Sequence, residues 1–139
     1  MKKDRFDKGW SKLAEVDGEV GEKVIQSLQD IAPDIATYIV EFAFGDIYSR
    51  GVLDLKQREM ITVASLTTLG GCENQLEVHV NGALNVGLTP EEIIETITQC
   101  IPYAGFPRVL NAIAVAKKVI LPRLSASGEP DVSQNDKRQ

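Results

Sequence analysis

The chain has 139 residues, enough for one domain, with 43% hydrophobic and 25% charged residues, a balance that supports a real core. Its formal net charge is −5 and no basic run follows a face, which argues against nucleic acid as a partner. No apolar stretch approaches membrane-spanning length, and Met1-Lys2-Lys3-Asp4-Arg5 leads into a polar helix rather than an apolar signal core. A cytoplasmic protein with no membrane partner is expected. Two cysteines and one histidine cannot build a disulfide scaffold or a Cys/His zinc site, so no metal is expected.

The pattern is helical nearly throughout, and hairpin dipeptides between alternating runs are absent. A first helix is predicted over Lys3 to Val16, with Phe6, Trp10 and Leu13 at helical spacing and Trp10 as a packing residue. Asp17-Gly18 breaks it. A second runs from Glu19 to Ile31. Pro33 suits the first turn of a third, which continues to about Tyr48. Asp54 with Gln57 forms a capping box for a helix whose body, Met60 to Leu69, is apolar or small on all sides and is expected to be covered by neighbours. Gly70-Gly71 ends it.

The Cys72 helix follows and stops at Gly87. Thr89-Pro90-Glu91-Glu92 is the strongest start signal in the chain, for a helix reaching Tyr103-Ala104. Pro107 opens the last helix. The short Gly87-Leu88 connection makes the Cys72 and Thr89 helices an antiparallel hairpin, which could bring Cys72 near Cys100. From Ser125 onward apolar periodicity is lost, so a domain over residues 1–124 is followed by a disordered tail over 125–139.

His79 is the only histidine. Leu76, His79, Val80 and Ala83 fall at i, i+3, i+4, i+7, so the imidazole shares the apolar stripe. An inward imidazole must be hydrogen-bonded, and its ordinary pKa suits proton transfer near neutrality. A core histidine bonded to a carbonyl and an acid/base residue both fit that position.

Four segments in order carry a resemblance: Glu41-Phe42-Ala43-Phe44-Gly45-Asp46-Ile47-Tyr48-Ser49-Arg50-Gly51-Val52-Leu53-Asp54, then Arg58-Glu59-Met60-Ile61-Thr62, then His79-Val80-Asn81-Gly82-Ala83-Leu84-Asn85, and finally Tyr103-Ala104-Gly105-Phe106-Pro107 with Asn111-Ala112. Together they resemble the carboxymuconolactone decarboxylase family, over roughly Phe6 to Val119. The resemblance implies an all-α fold, a helical bundle like alkylhydroperoxidase D with a central antiparallel hairpin, assembled as a homo-oligomer, a trimer or a hexamer. It implies cofactor-free decarboxylation of a small carboxylated lactone such as 4-carboxymuconolactone, or a related proton transfer. A second branch of the family does thiol redox work through Cys-x-x-Cys-x-x-x-His. Here Cys72 and His79 match that motif but Gln75 stands in place of the second cysteine, so the dithiol cycle cannot run within it. The long segment ending in Tyr48-Ser49-Arg50 belongs to the decarboxylase side. Two alternatives remain: a thiol-dependent peroxidase using Cys72 and Cys100, and a family member that binds a small ligand without turnover.

Decarboxylation needs a poorly solvated place for the departing carboxylate, a donor to the developing dienolate oxygen, and a proton for the carbanion. His79 could supply the donor or the proton. Glu59 could orient His79 or relay a proton; equally, it could be a first-turn carboxylate complementing the helix dipole, with Arg58 or Lys56 beside it. Arg50, with Tyr48 beside it, is the first candidate for gripping a substrate carboxylate, ahead of Arg58 and Arg108. Asn111 could line the pocket, while Tyr103 is expected to pack. Cys72 sits at a helix N-terminus, either unreactive or one half of a displaced couple with Cys100.

Overall fold

A computed structural model describes residues 2–126, with side chains from Asp4 onward. The described residues are helical with no strand. In order they form α1 (Lys2–Leu28), α2 (Pro33–Tyr38) running on into a π-helical segment (Ile39–Ile47), α3 (Leu55–Leu69), α4 (Glu73–Asn85), α5 (Pro90–Gln99), α6 (Ile101–Ala104) and α7 (Phe106–Ala126). None is long and apolar enough to cross a membrane. Contacts gather the chain into two compact units. One takes the chain up to Glu59 together with Gly82–Leu88, the other Met60–Asn81 and the described chain from Thr89 on.

The first unit is built on α1. Its expected break is present: Gly18 has φ 57 and ψ −142, a conformation open to glycine at little cost, so the two helical runs change direction there. The second run ends at Leu28, three residues early. Leu13, Val16 and Ile25 of α1 close on Ala36, Val40 and Phe44 to form the core, and Phe6 and Trp10 pack against it with stacked rings 6.1 Å apart. The helix after Pro33 does reach Ile47, but its second half has π geometry, with Tyr48 N–H donating to Ala43 C=O at 2.9 Å across five residues. Side-chain periodicity does not report such a widened turn, and π turns recur at functional sites.

The π segment lies very close to α1. A Cβ on Gly9 would stand 1.9 Å from the Val40 oxygen, and Gly45 faces the Arg5 carbonyl. Arg5 fixes the same junction from outside by hydrogen bonds to Asp46 and an ion pair with Glu41 at 3.6 Å. The hydrogen bond from Arg5 holds the Asp46 carboxyl below its ordinary range.

In the second unit, Ile93 and Ile97 of α5 are buried, as are Val109, Ala112, Ala116 and Ile120 of α7. The Thr89 box forms as expected, with Glu92 N–H donating to Thr89 Oγ1 at 3.0 Å and Thr89 N–H to Glu92 Oε1 at 2.9 Å. Its helix stops at Gln99, because Pro102 starts the separate turn of α6. Arg123 ties α7 to α4 through the backbone and side-chain oxygens of Asn81, at 3.1 and 2.9 Å. The α7 helix includes Ser125 and Ala126, so the proposed tail does not begin at Ser125; positions 127–139 lie outside the described residues.

The expectation that α3 is covered on all sides does not hold. Glu59, Val63 and Thr67, at spacing i, i+4, i+8, make one buried line, while Ile61 and Leu69 are 54% and 66% exposed. Small residues such as Ala64 and Ser65 read as interior from composition, but packing covers only one face. Its Asp54–Gln57 capping box is present, and Gly70 and Gly71 both take φ 70 at its end.

Candidate active site

Glu59 is fully buried, in the second turn of α3. A first-turn place at the helix end was one expectation for it; here it lies a turn further in and out of solvent. The Tyr48 hydroxyl, at the end of the π segment, donates to Glu59 Oε1 at 2.8 Å. Tyr48 itself is held by its ring, stacked on Phe44 at 4.8 Å. Within the chain its hydroxyl proton is given to a protein carboxyl. A second carboxylate, Asp17, is 3% exposed, and one of its oxygens lies within 4.8 Å of one of Glu59.

Gly82 of α4 is packed onto both. A Cβ there would stand 2.4 Å from Asp17 Oδ1, 3.3 Å from Glu59 Oε2 and 3.3 Å from the Val16 side chain. Any other residue at 82 has to displace a carboxylate or the helix. Nearby, Asn85 Nδ2 donates to the Val16 carbonyl at 2.9 Å, just before the break in α1. Two buried carboxylates and a tyrosine hydroxyl within one unit form a group able to accept, hold and pass protons away from bulk water.

The stripe predicted for α4 is present: Leu76, Val80 and Ala83 are buried and His79 is half-buried among them. His79 precedes Gly82 by three residues, so the two share a face of the helix.

In the second unit, Cys72, Arg108 and Asn111 meet around a partly open cavity of about 10 Å³, lined also by Leu66, Thr67 and Leu76. That is room for about one water, far less than a lactone needs. Arg108 donates from Nε to the Leu69 carbonyl at 3.3 Å, capping the end of α3. Cys72 and Cys100 are both free; the Cys72 thiol contacts the Gly70 oxygen at 3.4 Å, and the Cys100 thiol contacts those of Ala64 and Thr96.

Arg50 is exposed, and its carbonyl accepts from Arg58 Nη2 at 3.1 Å. Arg58 also holds the Gly51 carbonyl at 3.0 Å, so it braces the loop before α3. Tyr103 is 81% exposed, which corrects the packing role expected of it: α6 is a single turn, and the ring projects from it without cover within this chain.

Asp17 and Gly82 were missed. Asp17 read only as part of a helix-breaking Asp-Gly pair. The available signal was its spacing: Leu13, Val16 and Asp17 fall at i, i+3, i+4, which places a carboxylate on an apolar stripe.

An all-helical chain with a buried Glu59 carboxyl held by the Tyr48 hydroxyl carries a group suited to acid/base chemistry, and comparison with known proteins narrows its class. The model of the carboxymuconolactone decarboxylase family matches residues 33–118. The chain is 34% identical to a 4-carboxymuconolactone decarboxylase of Acinetobacter baylyi over 83% of this chain and 86% of that protein. It is 31% identical to a nitrosuccinic acid decarboxylase of Metarhizium robertsii, over 83% of this chain and 80% of that one. An uncharacterised Paracoccus denitrificans protein is 33% identical over 68% and 72% of the two chains. The chain belongs to the carboxymuconolactone decarboxylase family, on its decarboxylase side.

Proposed function

We propose that this protein is a carboxy-lyase that removes carbon dioxide from a small carboxylated lactone of the 4-carboxymuconolactone type, without a cofactor. The observation that carries this is Glu59, buried and held by the Tyr48 hydroxyl, in a chain whose relatives of similar length are named decarboxylases.

Loss of carbon dioxide leaves an electron pair conjugated with the lactone carbonyl. A donor must meet the developing oxygen charge and a proton must reach the carbon. His79 is assigned the donation, because imidazole is the side chain whose chemistry best suits giving and regaining a proton near neutrality. Glu59 orients it or relays the proton, and Tyr48 keeps the Glu59 carboxyl in one rotamer. Arg50 is the assigned anchor for a substrate carboxylate; it is exposed, and its side chain suits a bidentate grip.

The catalytic assembly is proposed to be a homo-oligomer, three or six chains, with α4 and α5 as its central antiparallel hairpin. Ile35, Tyr38 and Phe42 stand 51%, 64% and 56% exposed along α2 and the π segment. A patch of that kind supports self-association.

The test is carbon dioxide release from 4-carboxymuconolactone by the purified protein, with light scattering to count subunits. Turnover that disappears in a folded His79→Ala variant supports the assignment. A wild-type protein that binds such lactones and releases no carbon dioxide overturns it in favour of ligand binding without turnover.

A further inference from the structure

Asp17 is a buried ionisable group that the reaction above leaves unused. We propose that Asp17 is a positioning residue of the same site, a second carboxylate paired with Glu59 and seated against α4 by the missing side chain of Gly82. The proposal rests on the assignment of His79 and Glu59 to the decarboxylation.

Burying a carboxylate costs free energy, and burying two close together costs more unless the surroundings use their charge. Asp17 is 3% exposed and Glu59 fully buried, with oxygens within 4.8 Å of each other. A merely structural position would be filled more cheaply by an apolar residue, as at Leu13 and Val16 on the same stripe of α1. The approach to α4 is equally specific. The Tyr48 hydroxyl engages Glu59 Oε1. Glu59 Oε2 and Asp17 Oδ1 are then the oxygens that converge on Gly82, 3.3 and 2.4 Å from where its Cβ would be.

His79 leaves α4 from that same face, one turn earlier, about 4.5 Å along the axis. A carboxylate close to an imidazole favours its proton-carrying form. Each turnover takes in one proton, from the ring to the carbon, and releases one carbon dioxide; water returns the proton to the ring. Asp17 favours that return without touching the substrate.

The chain has one histidine, so its ring C–H resonances are unambiguous in an NMR titration. Asp17→Asn is expected to lower the pH at which they move by about half a unit or more, because a carboxyl able to carry negative charge is lost from the proposed site. It is also expected to lower kcat by about tenfold or more with KM little changed. A ring titration and kcat identical to wild type overturn the proposal. Should Asp17→Asn fail to fold, Gly82→Ala keeps both carboxylates and only displaces them; an unmoved His79 titration in that variant overturns it too. The titration needs no substrate. A wild type that releases no carbon dioxide therefore sinks the proposed reaction alone, while the NMR result still decides on Asp17.

Discussion

The Tyr48 hydroxyl reaches across eleven residues of sequence to donate to Glu59 Oε1 at 2.8 Å, joining the end of the π segment to a buried carboxyl on α3. A hydrogen bond to a buried carboxyl is among the stronger ones a protein makes. Tyr48→Phe deletes the donor and leaves the ring in place. It is expected to cost about 1–2 kcal/mol in denaturant unfolding and to lower kcat more than it raises KM. Unchanged stability and turnover would show that the contact contributes neither.

The contact between α1 and the π segment depends on Gly9, whose added Cβ would lie 1.9 Å from a backbone oxygen. Backbone cannot rotate aside as a side chain can. Gly9→Ala is expected to destabilise by about 2–3 kcal/mol or more, read from the midpoint of urea unfolding. Gly51→Ala is the control, since nothing lies within 4 Å of that site, and little change is expected.

Val52 is the non-glycine residue with positive φ among the described residues, at 76°, and its side chain is fully exposed. A β-branched residue there carries backbone strain with no packing in return. Val52→Gly should stabilise the fold by about 1 kcal/mol, less the extra freedom glycine gives the unfolded chain. A loss of stability would count against the strained conformation.

The Arg5–Asp46 pair gives a pH signature. The hydrogen bond from Arg5 lowers the folded-state value of Asp46, so its stabilisation is present above the ordinary aspartate range, near about 4. It is lost as pH falls through the depressed value. Asp46→Asn should melt slightly below wild type at neutral pH, with the difference closing in acid. The effect is small because the pair is exposed to solvent.

The thiols separate the remaining reading. Gln75 fills the resolving position, and each cysteine sulfur contacts a backbone oxygen. A Cys72→Ser, Cys100→Ala double variant is expected to keep its decarboxylase turnover, at a stability cost of about 1 kcal/mol for the buried Cys100. Loss of activity in a folded double variant would return the function to thiol chemistry.

Helix termini in this chain are written in local chemistry. The boxes at Asp54–Gln57 and Thr89–Glu92, the break at Gly18 and the stop at Gly70-Gly71 each depend on a few adjacent residues, and each was legible. The buried stripe of α4 followed from spacing alone, and the family from four short segments in order. What spacing could not report is how wide a turn is, which face a neighbour covers, and what a polar side chain meets. The π geometry before Tyr48, the open face of α3, and Arg108 as the cap of Leu69 are outcomes of that kind. So is the standing of Asp17. In sequence it belongs to a turn signal; only close packing against Glu59 and the bare α-carbon of Gly82 makes it a buried carboxyl, because distances between segments are set by the core and not by the local code.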